Sequence, residues 1–304
     1  MRAVRFHQYG GIDVLQVEDV EVRPPNANEV VVQVQAGINP GEANIRRGAL
    51  HDRFPATFPS GQGSDLAGKV TTLGSEVTSW SAGDDVLGWS WERSSQAEYV
   101  VVPADQLVVK PATLSWDTAG ALYVAGCTAY AAVRAVDATA GDTVVVSAAA
   151  GGVGSIAIQL LLLRGARVIA VASDRHAEWL EAKGATVVNY GDGLRDRIIA
   201  AAPNRVTAFI DLYGPDYVRL AVELGVAKDR INTVIAFDLA QQLGVKAEGS
   251  AAGTSAEVLA DLAHLAASGE IEVPIAATYP LEQVQQAFRE LEQGHTLGKI
   301  VLHP

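Results

Sequence analysis

Gly151, Gly152 and Gly154 crowd one short turn, in a stretch that runs from Val146 through Ser147, Ala148, Ala149 and Ala150 to Val153 and Gly154. Residues 142–147 before it form an apolar run too short for a helix, the pattern of a strand buried on both faces of a parallel sheet. Residues 155–164 after it carry helical spacing. A turn of this kind directs backbone N–H groups and the positive end of a helix at one point, which is chemistry for an anion such as a pyrophosphate. Glycines permit the tight turn and the close approach of backbone to ligand, and Gly154 lets the helix pack on the strand. The candidates are therefore Ala150, Gly151, Gly152, Val153 and Gly154. The first position of the usual G-x-G-x-x-G spacing is Ala149, so the turn could be an ordinary Gly-rich one. The strand before it, the helix after it and the βαβ pattern that follows favour the phosphate reading.

The next strand bears on the choice of dinucleotide. An acid about twenty residues beyond the glycines would hold a ribose 2′-OH. Residues 168–172 end in Ala172 where that acid would sit, and Ser173, Asp174, Arg175 and His176 follow. A small residue leaves room for a 2′-phosphate, Ser173 can donate to it and Arg175 can pair with it. Asp174 would serve NAD if it turned inward. Tyr190, after the short strand 186–189, either reaches the same phosphate or packs at a strand end. The expectation is NADPH.

Other reactive types form no constellation. Cys127 has no histidine placed to activate it and reads as a small buried residue. Ser147 does not sit in a G-x-S-x-G elbow. The six histidines show no metal-ligand spacing, and one cysteine excludes a four-cysteine zinc lobe. Trp80, Trp89 and Trp91 cluster in the N-terminal third; they line an apolar pocket for a flat substrate or, more simply, pack the domain.

These residues need a scaffold. Residues 1–115 read as short strands broken by turns, a mainly β domain forming a partly closed barrel. From 116 strands and helices alternate: helix 119–136, strands 142–147 and 167–172, helix 175–183, strand 186–189, helix 194–202, strand 206–212, helix 216–224 and strand 231–237. That alternation implies an α/β, doubly wound parallel sheet over 116–269. Helices at 257–268 and 281–293 and a last strand at 299–302 follow, and 270–304 completes the first domain. The chain of 304 residues has a net charge of −12 and no basic run. This argues against nucleic acid and anionic membrane as partners. The single cysteine and the lack of an apolar leader suggest a cytoplasmic location.

Ordered motifs along the whole length resemble the medium-chain dehydrogenase/reductase superfamily, in its zinc-free quinone oxidoreductase-like branch. Residues 36–48, with Asn39, Pro40, Glu42, Arg46 and Gly48, resemble its NPxDxxxRxG motif. Tyr9 to Leu15, Gly63 to Gly68, Gly83 to Val86, Glu98 to Pro103, Gly126 to Tyr130, the 149–154 turn and Gly298 to Leu302 resemble further blocks. The resemblance implies a GroES-like catalytic domain and a Rossmann cofactor domain. It places Asn39 and Thr128 near the nicotinamide as catalytic-site residues, Lys299 near the same end, and Ser173, a following basic residue and Tyr190 on the 2′-phosphate. Tyr213, Ala236 and Phe237, at the ends of the later strands, complete the implied cofactor set. His176 aligns with the usual phosphate lysine, so Arg175 stands in for it. Zinc-dependent members hold their metal at positions that align with Asn39, Ser64 and Val124, none a good zinc ligand, with Asp65 in the place of a nearby acid. Glu42 replaces a usual aspartate and Tyr123 a common proline.

The implied activity is NADPH-dependent hydride transfer to a quinone or an α,β-unsaturated carbonyl compound, without zinc, by a homodimer acting on a small apolar substrate. Without a Lewis acid, a conjugated acceptor is the easier target because it delocalises the charge it receives. Tyr130 and Tyr213 are secondary candidates for a proton donor. An enoyl or carbonyl reductase of a biosynthetic pathway, or a non-catalytic NADPH-binding redox sensor, would share the same residues.

Overall fold

The computed structural model describes residues 1–36 and 38–304; Gly37, inside the 36–48 motif, lies outside them. The chain divides into two compact units, 1–124 with 255–304, and 125–254. The divisions fall at 124/125 and 254/255, against the 115/116 and 269/270 expected from the sequence.

The first unit is mainly β. Its strands are β1 (Arg2–Phe6), β2 (Gln16–Asp19), β3 (Glu29–Ala36), β4 (Ser60–Gly61), β5 (Asp65–Leu73), β6 (Asp85–Trp89), β7 (Tyr99–Pro103) and β8 (Leu107–Val109). A five-stranded antiparallel sheet runs β7-β3-β5-β6-β8, and a smaller sheet runs β2-β1-β4. Val30, Val32 and Val34 alternate along β3 and meet Leu66, Val70, Val86, Val100 and Val102 in one apolar cluster. That is the period-2 burial of a strand with a core face. Two short helices, α1 (Pro40–Arg46) and α2 (Trp116–Gly120), follow β3 and β8. The expected helix 119–136 is split: Ser115 caps α2 by accepting from the Thr118 N–H, and a new helix, α3 (Tyr123–Ala135), starts after Leu122.

The second unit carries a five-stranded parallel sheet, β11-β10-β9-β12-β13. Its strands are β9 (Thr143–Val146), β10 (Arg167–Ala172), β11 (Thr186–Asn189), β12 (Ala208–Asp211) and β13 (Ile231–Thr233). They are connected by α4 (Gly152–Leu163), α5 (Ala177–Ala182), α6 (Leu194–Ala201) and α7 (Pro215–Glu223), with α8 (Phe237–Leu243) and α9 (Ser250–Gly253) after the last strand. Val144, Val145 and Val146 are wholly buried, as a strand covered on both faces requires. The strand expected over 231–237 stops at Thr233. The Thr233 hydroxyl accepts from the backbone N–H of Ile235 and Ala236, turning the chain, so Ala236 caps α8 and Phe237 opens it.

The chain then returns to the first unit as α10 (Ala256–Ser268), β14 (Ile275–Pro280), α11 (Val284–Gln293) and β15 (Lys299–His303), with β14 and β15 paired in parallel.

Strand order in the parallel sheet reverses at β9, between β10 and β12. Buried side chains tie that point together. The carboxylate of Asp211, at the end of β12, accepts from Ser147 Oγ (2.9 Å), from Thr233 Oγ1 (2.7 Å) and from the backbone N–H of Tyr213 and Gly214. Removing it strands four donors at once, three of them in buried hydrogen bonds. Asp211→Ala should therefore lower unfolding stability by about 3 kcal/mol or more, read from urea denaturation; a loss below about 1 kcal/mol would contradict this role.

Candidate functional site

In the second unit every expected cofactor residue except Thr128 lies in a loop or helix start that follows a strand of one parallel sheet. Residues 147–154 follow β9, Ser173 to His176 follow β10, Tyr190 follows β11, Tyr213 follows β12, and Ala236 with Phe237 follows β13. The carboxyl edge of such a sheet, beside the reversal of strand order, is where ligands of doubly wound folds bind. Thr128 sits apart, buried in the second turn of α3.

The glycine turn is built for close approach. Ala148 is held in the left-handed region at φ +47°, and the Ala149 N–H bonds to Val171 O at 3.1 Å, pinning the turn to β10. A Cβ on Gly154 would stand 2.3 Å from Ala148 O and 2.7 Å from Ala149 Cα, so only glycine fits there. No side chain caps α4 at Gly151, which leaves the first N–H groups of a twelve-residue helix to an anion. The residues present thus fit the pyrophosphate of a dinucleotide.

Around the expected 2′-phosphate position, Ala172 is buried, Ser173 begins a short 3-10 turn, Asp174 and Arg175 are exposed and His176 is half-buried. Tyr190 and Tyr213 are exposed, and Tyr213 stands edge-on to Tyr217 at 5.5 Å. Burial raises the Tyr217 hydroxyl above its ordinary pKa, with Tyr213, Asp211 and Tyr190 adding to the effect. Arg197 is a residue the sequence reading missed. Its guanidinium donates to the carbonyls of Asn189, Tyr190, Gly191 and Asp192 and so fixes the loop that carries Tyr190.

The first unit holds a different cluster, fully polar and almost wholly buried. Asn39 caps α1, and its Nδ2 donates to Asp65 Oδ2 at 2.7 Å. Lys299, at the start of β15, donates to Ile38 O at 2.7 Å and to Asn39 Oδ1, and lies 3.5 Å from Asp65 Oδ2. The Val124 N–H donates to Asp65 Oδ1 at 2.6 Å. Glu42 accepts from the N–H groups of Asn39 and Ser64 and from Gln96 Nε2. Burial pushes the Glu42 carboxyl up from 4.5 to about 7, with Asp65 adding to the rise and these hydrogen bonds and Lys299 opposing it. Gln96 gave no signal in the sequence beyond its place before the 98–103 motif.

A zinc ion does not fit this cluster. Asn39 is consumed by Lys299 and Asp65, Ser64 and Val124 enter through their backbone N–H groups, and the Lys299 ammonium already supplies a positive charge beside Asp65. Zinc requires thiolate, imidazole or carboxylate donors in numbers that this set lacks. Among the described residues no other group of three such side chains could hold a metal.

The chain matches the model of the alcohol dehydrogenase GroES-like domain over residues 26–113 and that of the zinc-binding dehydrogenases over residues 120–302. It is 28% identical to the mitochondrial NAD(P)H oxidoreductase RTN4IP1 of Homo sapiens, over 93% of this chain and 81% of that protein. It is 30% identical to the chloroplastic NADPH-dependent alkenal/one oxidoreductase of Arabidopsis thaliana, over 100% of this chain and 80% of that one. It is also similar to the quinone oxidoreductase of Escherichia coli in complex with NADPH, with a TM-score of 0.89 and 28% identity over the full length of both. The cytoplasmic location expected from the sequence is corrected by these relatives, which are mitochondrial and chloroplastic. A single cysteine and an acidic surface suit any reducing compartment, so they do not separate cytosol from organelle. No helix among the described residues is long and apolar enough to cross a membrane.

Glu42 gives the first unit a pH signature. Its folded pKa lies above its unfolded one, so the folded state holds more protons between pH 4.5 and about 7. Stability should fall as pH rises through that window, by up to about 3 kcal/mol, and then level off. Urea midpoints at pH 5 and pH 8 should show a steeper fall for the wild type than for Glu42→Gln; parallel falls would refute the assignment.

Proposed function

We propose, for a chain that belongs to the medium-chain dehydrogenase/reductase superfamily and its quinone oxidoreductase-like branch, that it is an NADPH-dependent reductase of quinones or α,β-unsaturated carbonyl compounds that works without zinc. The observation that carries this reading is the turn at 148–154, where a left-handed Ala148 and a Gly154 with no room for a Cβ bring backbone and an uncapped helix end to one point.

NADPH bound there supplies a hydride. Residues Ala150 to Gly154 hold its pyrophosphate through backbone N–H groups. Ser173 and Arg175, with His176 and Tyr190 beside them, take the 2′-phosphate; Ala172 leaves the space that an acid would fill in an NAD site. Tyr213, Ala236 and Phe237 border the cofactor farther along the sheet edge. Asn39, Thr128 and Lys299 are assigned to the nicotinamide end. Asn39 reaches that role already oriented, because Lys299 fixes its oxygen and Asp65 one of its amide hydrogens. One Nδ2 hydrogen is left to donate.

The absence of a suitable zinc donor set selects the substrate class. An alcohol needs its oxygen polarised before it loses a hydride, whereas a conjugated carbonyl compound spreads the incoming charge over its own π system. Hydride addition to such a substrate leaves an enolate or hydroquinone anion, which takes its proton from water. The Arabidopsis relative, named for alkenals and enones, supports the same class. A homodimer is part of the proposal: beyond β13 the sheet continues among the described residues only by the single bridge Asn232–Lys246, which leaves an edge for a second copy.

The wild type should oxidise NADPH steadily with 9,10-phenanthrenequinone or a 2-alkenal; tight NADPH binding with no turnover on a broad panel would point to a sensor instead. Arg175→Asp should weaken NADPH binding roughly ten- to a hundredfold, the weight of a hydrogen-bonded charge contact, while changing NADH binding less than about threefold. Calorimetry decides this, and equal losses for both nucleotides would remove Arg175 from the phosphate site.

A further inference from the structure

The three tryptophans that cluster in the sequence have different fates in the first unit. Trp80 is spent on structure: it packs against the apolar cluster of the five-stranded sheet, and its Nε1 donates to Ala104 O at 2.9 Å. Trp89 ends β6 and is buried, yet its Nε1 has no hydrogen-bond partner. Trp91, two residues on, is 53% exposed.

Trp89 and Trp91 meet on one ring. Tyr123 stacks on Trp89 with centroids 5.2 Å apart and planes 12° apart. Trp91 stands against the same tyrosine at 6.3 Å and 87°. The result is a right-angled aromatic corner with one open indole. It adjoins the buried polar cluster on two sides. Trp89 is the register partner of Asp65 across β5 and β6, so both side chains leave the same face of the sheet. Tyr123 directly precedes Val124, whose N–H holds Asp65. The neighbouring Gln62 Nε2, Ser95 Oγ and Gln96 Oε1 are also buried without partners. Buried polar atoms are otherwise almost always satisfied, and such a concentration marks a place where something else supplies the hydrogen bonds.

The geometry points to Trp89, Trp91 and Tyr123 as a ring-recognition subsite for the acceptor substrate. The subsite selects a planar conjugated ring carrying a carbonyl oxygen over an open-chain enal. The ring lies on the exposed indole of Trp91, and the orphaned N–H of Trp89 donates to the carbonyl oxygen. This inference rests on the reductase reading above and narrows its substrate class. A flat ring gains from stacking where a flexible chain does not. The polar cluster behind the corner leaves Asn39 near the oxygen that gains charge.

The test compares wild type with Trp91→Ala and Trp89→Phe, with Trp80→Phe as a control that touches only the β core. Activity is read as kcat/KM for 9,10-phenanthrenequinone and for an unbranched 2-alkenal. Trp91→Ala should lower the quinone value roughly tenfold while the alkenal value stays within about threefold, as expected for one lost aromatic contact. Trp89→Phe should lower kcat for the quinone as well as raise its KM, because the lost N–H donates to an oxygen that gains charge. Calorimetry with 9,10-phenanthrenequinone in the absence of NADPH gives a readout independent of turnover: wild type binds it and Trp91→Ala binds it at least about fivefold more weakly. Equal losses on both substrates, or unchanged quinone binding in Trp91→Ala, would overturn the subsite. A wild type that binds the quinone but never oxidises NADPH would instead sink the reductase reading.

Discussion

A carboxylate with no exposure to water has to be neutralised where it stands, and Asp65 is such a group. Three parts of the first unit converge to do it: Asn39 at the cap of α1, Val124 in the first turn of α3 and Lys299 from β15. Removing one partner would leave an unpaired buried charge, which costs far more than a surface ion pair is worth. The cluster therefore fixes the first unit's site residues more rigidly than apolar packing alone would. The Lys299 ammonium supplies the positive charge beside Asp65, and the positions that align with the zinc ligands of metal-dependent members hold Asn39, Ser64 and Val124.

The second unit solves the opposite problem. Its task is to leave N–H groups unsatisfied at one place while satisfying them everywhere else. Asp211 gathers the donors at the reversal of strand order, and Arg197 gathers the carbonyls of the 189–192 loop. Between them the 148–154 turn leaves the first N–H groups of α4 without a side-chain cap, at the expense of an alanine in the left-handed region. Alanine there is strained by about 1 kcal/mol or more, which is tolerated because the strand on one side and the helix on the other over-determine the turn.

The parallel sheet was the most legible part of the sequence. Strands buried on both faces read as unbroken apolar runs, so 167–172 emerges with the bounds that the structure gives it; the edge strand 186–189, mostly half-buried, does so as well. The strand expected at 231–237 came out too long because its apolar run continues into a helix; only the Thr233 hydroxyl, a tertiary detail, ends it. Helix α1 and strand β14 were missed. A seven-residue helix starting at Pro40 spans just under two turns, too few to show a repeating apolar stripe, and β14, with its alternating half-buried and exposed residues, has no apolar face strong enough to show. In the first unit, Asn39, Asp65 and Lys299 were singled out by the family resemblance, and the structure brings the three together. The pairing of Asn39 with Lys299 was not legible, since 260 residues separate them. Nor was the division of labour among the tryptophans, which depends on which indole finds an acceptor.

We propose that the chain reduces its conjugated substrate with NADPH and without a metal, the substrate itself spreading the charge that zinc would otherwise polarise. Elemental analysis and NADPH-oxidation rates before and after exhaustive dialysis against a strong chelator test it most directly. The account predicts well under one zinc per chain and an unchanged rate. Stoichiometric zinc, with activity lost on chelation and restored by zinc alone, would contradict it.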